Sequence, residues 1–178
     1  MAPRIGGTYA NGLLTINSLG KDFHVDQRGR MTSRCHIIPW VRMPLLSYVI
    51  NPTHQQPTGN WISFRELEGG LDWQGLFHSR CENPLRKLAD ANPGLLSDLV
   101  ELFNARSEDL FAADIALVLH PLPHIPLLIA YQAPEDDLES KLTILFDRCC
   151  ATNLPIKSIF TLCSGLVRMF ARIARQHG

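Results

Sequence analysis

Early in the chain, apolar and polar positions alternate with a period of two. In "GLLTINSLGKDFHVDQRGR", residues 12–30, Leu14 and Ile16 alternate with polar neighbours, "LGKD" turns the chain, and Phe23 and Val25 alternate on the return. Side chains of a strand point to opposite faces in turn, so this pattern around a glycine turn predicts a β-hairpin. The next apolar stretch, "HIIPWVRMPLLSYVIN", is too dense for a half-exposed strand. It predicts a mostly buried helix over residues 40–50, with Pro44 near the first turn. "PTHQQPTGN" then reads as a polar turn or loop.

The spacing predicts helices through residues 71–106. In "NPGLLSDLVELFNAR", Leu95, Leu99, Leu102 and Phe103 share one face, with Asn92 as N-cap and Pro93 in the first helical position. "NPLRKLADA" repeats that start signal at Asn83 and Pro84. "DIALVLH" and "IPLLIAY" flank "PLPH" and read as two adjacent buried strands, with "KLTILFD" as a third. Proline cannot donate to a ladder, so Pro126 belongs at a strand start or edge. In the last segment Ile156, Ile159, Phe160, Cys163, Val167, Phe170 and Ala174 fall at helical spacing, and Lys157, Arg168, Arg172 and Arg175 lie elsewhere on the wheel. The arginines read first as a solvated basic face, with partner docking as the alternative.

The order is two strands, several helices, three strands and one helix. It predicts an α+β fold, with the hairpin and the three later strands in one antiparallel sheet and helices on one face. The order is similar to that of small PAS, GAF and profilin-like sensor folds, which hold a ligand between sheet and helices. The length of 178 residues suits one globular domain, residues 1–178.

Composition removes several function classes. Seventeen basic and 17 acidic side chains give zero formal net charge, which argues against nucleic acid or a membrane surface as an electrostatic partner. No apolar run reaches the roughly 20 residues that span a bilayer, and the N-terminal segment lacks the apolar core of a signal peptide. Cys35, Cys81, Cys149, Cys150 and Cys163 are odd in number and irregular in spacing. They read as reduced thiols of a cytoplasmic protein.

"GNWISFRELEGG", residues 59–70, is the strongest candidate for a site. Gly59, Gly69 and Gly70 permit positive φ or a close backbone approach. Trp61 and Phe64 can line a pocket, Arg65 has the planar fork that clamps a carboxylate or phosphate, and Glu66 can orient it. The structural reading of the same residues is a tight connection with paired charges and aromatic anchors.

Three segments, "TGNWISFRELEGG", "HPLPHIPLLIAY" and "TILFDRCCATNLPIKSIFTL", resemble the prokaryotic family termed Domain of Unknown Function 3786. The resemblance runs from the first hairpin to the last helix. The family has no assigned activity, so no functional residues carry over. Its members in anaerobes, some joined to a cysteine-rich iron–sulfur domain, imply a corrinoid or redox context and a partner with an iron–sulfur or corrinoid module. This chain has no Cys-x-x-Cys series to hold a cluster alone. His124 stands where the family pattern has a basic residue, so if that position binds an anion, the binding here depends on pH.

His120 and His124 bracket "PLP", and with Cys149 or Cys150 they suggest a mixed nitrogen and sulfur metal site, although no standard zinc spacing is present. An axial ligand to a tetrapyrrole needs one histidine near a pocket, and His24, His36, His78 and His120 are eligible. Asp147 ends the "ILFD" strand, where it can close the mouth of a site or cap the next turn. The vicinal thiols Cys149 and Cys150 can equally be small apolar residues. No Gly-x-Ser-x-Gly elbow or phosphate-binding glycine fingerprint is present.

The leading expectation is a non-catalytic ligand-binding or sensor-like domain for an anionic metabolite or a tetrapyrrole or corrinoid. Its ligand-binding residues would be Trp61, Phe64, Arg65, Glu66, Gly69, Gly70, His124 and Asp147. The alternatives are an enzyme or accessory factor of anaerobic one-carbon metabolism using Glu66 or Asp147 as acid or base, and a plain protein-interaction module.

Overall fold

The structure is a computed structural model and describes residues 2–34, 39–109 and 113–177. Cys35 and His36 lie outside the described residues. The predicted hairpin forms as β2 (Leu13–Ser18) and β3 (Lys21–Asp26). Its turn is Leu19–Gly20, at φ 52° and 75°, so Lys21 and Asp22 already belong to the return strand. Such two-residue turns need positive φ at both central positions. Leu19 tolerates it because its side chain is buried and its amide donates to the His120 carbonyl at 3.2 Å.

The α+β class is correct, but the strands form two antiparallel sheets rather than one. β1 (Thr8–Ala10) and β4 (Met31–Ser33) occupy both edges of the hairpin and complete a four-stranded meander. The edges of the hairpin itself are therefore taken by its chain neighbours. The later strands build a second sheet in the order β5-β9-β8-β7-β6. Its members are β5 (Trp61–Ser63), β6 (Arg106–Ser107), β7 (Ile115–Leu122), β8 (Ile125–Gln132) and β9 (Lys141–Asp147). The β7–β8 register shifts between Leu119 and Leu122, around Pro121, which has no amide to give the ladder. Pro126 sits at the start of β8, as expected. Burial of β7 and β8 is nearly continuous, so both faces of the sheet centre are covered.

Helix α1 spans Pro39–Ile50, which puts Pro44 beyond the first turn. Two short 3-10 turns, Phe64–Glu66 and Leu71–Trp73, follow β5. The chain then runs helically through α2 (Gln74–Phe77), a π-turn (His78–Glu82) and α3 (Asn83–Ala91). Asn83 and Pro84 therefore continue a helix instead of starting one. Pro84 has no amide for the carbonyl four residues back, and its ring crowds that carbonyl. The wider π-turn directly before it accommodates both defects. Asn92 closes α3, donating from Nδ2 to the Leu88 carbonyl at 2.8 Å, and α4 (Leu95–Phe103) begins behind Gly94. The short α5 (Cys150–Asn153) leads to α6 (Ile156–His177).

The apolar stripe predicted for α6 is the one that packs: Ile159, Cys163, Val167, Phe170 and Ala174 are buried, and Lys157, Arg168, Arg172 and Arg175 are exposed. A Cβ at Gly165 would overlap the Trp40 indole, so the absence of a side chain there sets the close approach of α6 to α1. One hydrophobic cluster joins Ile16, Phe23 and Val25 of the first sheet to Leu117, Leu127 and Phe146 of the second. Among the described residues no helix is long and apolar enough to cross a membrane.

Candidate functional site

Asp147 lies at the end of β9, opposite Trp61 of β5, and is fully buried. Its carboxylate accepts the backbone amides of Thr58 at 2.8 Å, Gly59 at 2.6 Å and Cys149 at 2.9 Å, and the Thr58 hydroxyl at 3.2 Å. Burial works against the charged form. The amides of Cys149, Gly59 and Thr58 outweigh it and hold the carboxyl below its usual range. Asp147 thus fastens the entry of "GNWISFRELEGG" to the sheet and starts the turn into α5.

The segment itself opens as an edge strand. Three residues are too few to show alternation in sequence, so the segment reads there as a tight connection and not as a strand. Phe64 is buried and stacks on Phe77 with centroids 4.0 Å apart, and both meet Phe146 edge-on. Trp61 is half-buried. Arg65 and Glu66 are exposed, as a presented pair requires. Glu66 accepts the Ser63 amide at 2.8 Å and the Ser63 hydroxyl at 2.6 Å, closing a capping box on the 3-10 turn. Those Ser63 contacts hold its carboxyl below the usual value, with smaller help from Arg148 and Arg65. Both Glu66 and Asp147 are shifted away from the raised value that would suit a general acid at neutral pH. Arg65 makes no hydrogen bond or ion pair with the described residues.

The two glycines at the end of the segment have different reasons. Gly69 is at φ 74°, and Gly70 has ordinary φ but no room, since a Cβ there would overlap the Phe64 carbonyl oxygen. The Gly70 amide donates to the Leu67 carbonyl at 2.8 Å, folding the chain back tightly.

The histidines distribute differently from the sequence expectation. His120 is exposed on β7, whereas His124 is buried in the β7–β8 turn beside His54, from the loop after α1. Cys149 and Cys150 direct their thiols at the carbonyls of His124 and Pro126, not at an imidazole. Among the described residues no group of three or more His, Cys, Asp or Glu side chains is placed to hold a metal ion. His24 pairs with the Thr15 hydroxyl and His78 with Glu82. Glu82 also accepts the Ile144 amide at 3.1 Å, just past the last β5–β9 pair, Ser63 with Leu145.

A groove of about 490 Å³ runs between the α2–π-turn–α3 helix and α6. Leu76, Phe160, Val167 and Ala171 give it an apolar floor, with Pro84 and Ser164 along its sides. Arg80, from the π-turn, and Arg168, from α6, flank it. Both guanidiniums are exposed, and neither makes a hydrogen bond or ion pair with the described residues. None of these lining residues carries an imidazole, thiol or thioether, so an axially ligated tetrapyrrole does not fit there. Arg168 was legible only as part of a basic stripe. Arg80 left no periodic signal, and "ENP", where Pro84 interrupts a helical run, was the one local cue to the π-turn that carries it.

The fold and this surface define an α+β protein of two antiparallel sheets with an arginine-flanked groove between helices. A family model described as "Domain of unknown function (DUF3786)" matches residues 1–169, and the chain belongs to that family. No curated protein and no solved structure matches it.

Proposed function

We propose that this protein binds a small anionic molecule with an apolar body, without catalysing its conversion, in the groove between the π-turn helix and α6. The observation that carries the reading is the pairing of an apolar floor of ligand size with Arg80 and Arg168, two flanking cations without partners among the described residues. An apolar acid would bury its body against Phe160 and Val167 and offer its carboxylate to a guanidinium, a charge-assisted contact. Arg65 and Glu66 remain a second exposed pair, and the Glu66 carboxylate is already engaged by Ser63.

Isothermal titration with decanoate and 2-naphthoate, and with their neutral alcohols, tests it. Saturable binding of the acids is expected, with Arg80→Ala and Arg168→Ala each weakening it about tenfold or more while the fold is retained. Equal binding of acids and alcohols, or binding indifferent to both arginines, would sink the reading. A Soret-like or corrinoid band on protein purified without oxygen would return it to a tetrapyrrole.

A further inference from the structure

His54 follows α1 in the polar segment that leads to β5, and His124 occupies the turn between β7 and β8. Their ring centroids are 6.3 Å apart, and the Tyr48 ring of α1 packs edge-on 4.5 Å from His54. The Tyr48 hydroxyl donates to the Ile5 carbonyl at 2.9 Å and accepts the His124 amide at 3.3 Å, fixing the wall behind the pair. Nδ1 of His124 and both ring nitrogens of His54 are buried without a hydrogen-bond partner among the described residues. The Tyr48 and Asn51 carbonyls lie near enough to favour protonation of His54 but do not meet hydrogen-bond geometry. Buried polar atoms of this kind are rare in native folds and call for an explanation.

We propose that His54 and His124 form a proton-operated latch. It holds residues 51–59 against α5 and the end of β9 while both rings are neutral, and it releases them when a ring is protonated.

The segment's ties to the body run through the same corner. Asn51 Nδ2 donates to the carbonyls of Thr152 and Asn153. Asn153 Oδ1 accepts the Gln55 amide at 2.7 Å. Asn153 Nδ2 donates to the Gln55 carbonyl at 2.8 Å and to the His124 carbonyl at 2.9 Å. One side chain therefore reads the positions of both the histidine turn and the segment. Beyond it, Thr58 and Gly59 hang on Asp147.

Among the described residues no carboxylate is hydrogen-bonded or ion-paired to either ring. Of the titratable groups, the Tyr48 phenol packs on both rings and the Cys149 thiol meets the His124 carbonyl. Behind Cys149 come the Cys150 thiol on the Pro126 carbonyl and the Asp147 carboxylate on the Cys149 amide. Burial pushes the Tyr48 phenol far up, and the Cys149 contact with burial does the same to Cys150, so both stay neutral. Asp147 makes its hydrogen bonds to Thr58, Gly59 and Cys149 and none to either ring. Burial holds both histidines below their ordinary value, and His54 adds a repulsive contribution at His124. The folded state therefore resists protons that the released state accepts. The latch is closed above the ordinary histidine value and weakens as pH falls below it toward the folded values. Asp147, with its carboxyl held low, stays ionised throughout that window, so a loss of the Thr58 and Gly59 ties there is not its own titration.

Amide hydrogen exchange from pH 7.5 to 5, corrected for intrinsic rates, tests the latch at Gln55, Thr58 and Gly59. In the wild type their protection should fall by up to about tenfold per imidazole per pH unit below about 6.5. The double variant His54→Gln, His124→Gln should show no such fall. Unchanged wild-type protection at pH 5, or the same fall in the variant, would overturn the proposal. Should the variant not fold, the C2-proton titrations of the wild type decide: both rings should titrate below free histidine, and ordinary titration would overturn it.

Discussion

The Asp147 carboxylate takes the Gly59 amide at 2.6 Å, although 88 residues separate them in the chain. With the amides of Thr58 and Cys149 it satisfies three backbone donors at one strand end. Asp147→Ala should therefore lower stability by about 2–4 kcal/mol in urea unfolding, because three backbone amides lose the carboxylate that accepts them. Asp147→Asn keeps the shape and should cost less.

The same site sets an acid limit. Since the folded Asp147 carboxyl is held below its usual value, its stabilisation is complete above the ordinary aspartate range and is lost as pH falls through the folded value. Melting temperature between pH 5 and 2.5 should fall for the wild type, and less steeply for Asp147→Asn. Parallel curves would show that other carboxylates govern acid unfolding.

Gly59 and Gly70 should respond to alanine for different reasons. Gly59 sits at φ 75° with open space around a Cβ, so Gly59→Ala should cost about 1 kcal/mol of backbone strain. Gly70→Ala places a methyl into the Phe64 carbonyl and should cost about 2–3 kcal/mol by overpacking. A reversed order in chemical denaturation would contradict the stated cause.

Phe64 belongs to the aromatic core and not to the groove lining. Phe64→Ala should destabilise by about 3–5 kcal/mol, while Phe64→Leu should keep the fold and leave binding in the groove unchanged. A selective loss of ligand affinity in Phe64→Leu would move the site to the opening segment.

Arg65→Ala should leave the melting temperature unchanged, since Arg65 is exposed and makes no hydrogen bond or ion pair with the described residues. Glu66→Ala should release the Ser63 cap and raise exchange at the Ser63 amide. An Arg65→Ala protein that unfolds would assign that side chain an architectural role.

Period and punctuation carried the local elements. Alternation in "LLTIN" and "FHV" specified the hairpin, and the stripe from Ile159 to Ala174 specified which face of α6 is buried, because both depend on nearest neighbours along one element. Assembly was decided elsewhere. That β1 and β4 close the first sheet depends on short strands with little pattern of their own. That Asn92 ends one helix instead of starting another depends on which backbone groups compete for its side chain. That Arg80 and Arg168 flank one groove is set by α6 packing beside the π-turn. His54 and His124 meet because a turn and a loop 70 residues apart dock on Tyr48. The sequence thus determined which residues seek burial and with what period. Only tertiary packing, which satisfies or strands each polar group once neighbours are fixed, decided which side chains face one another.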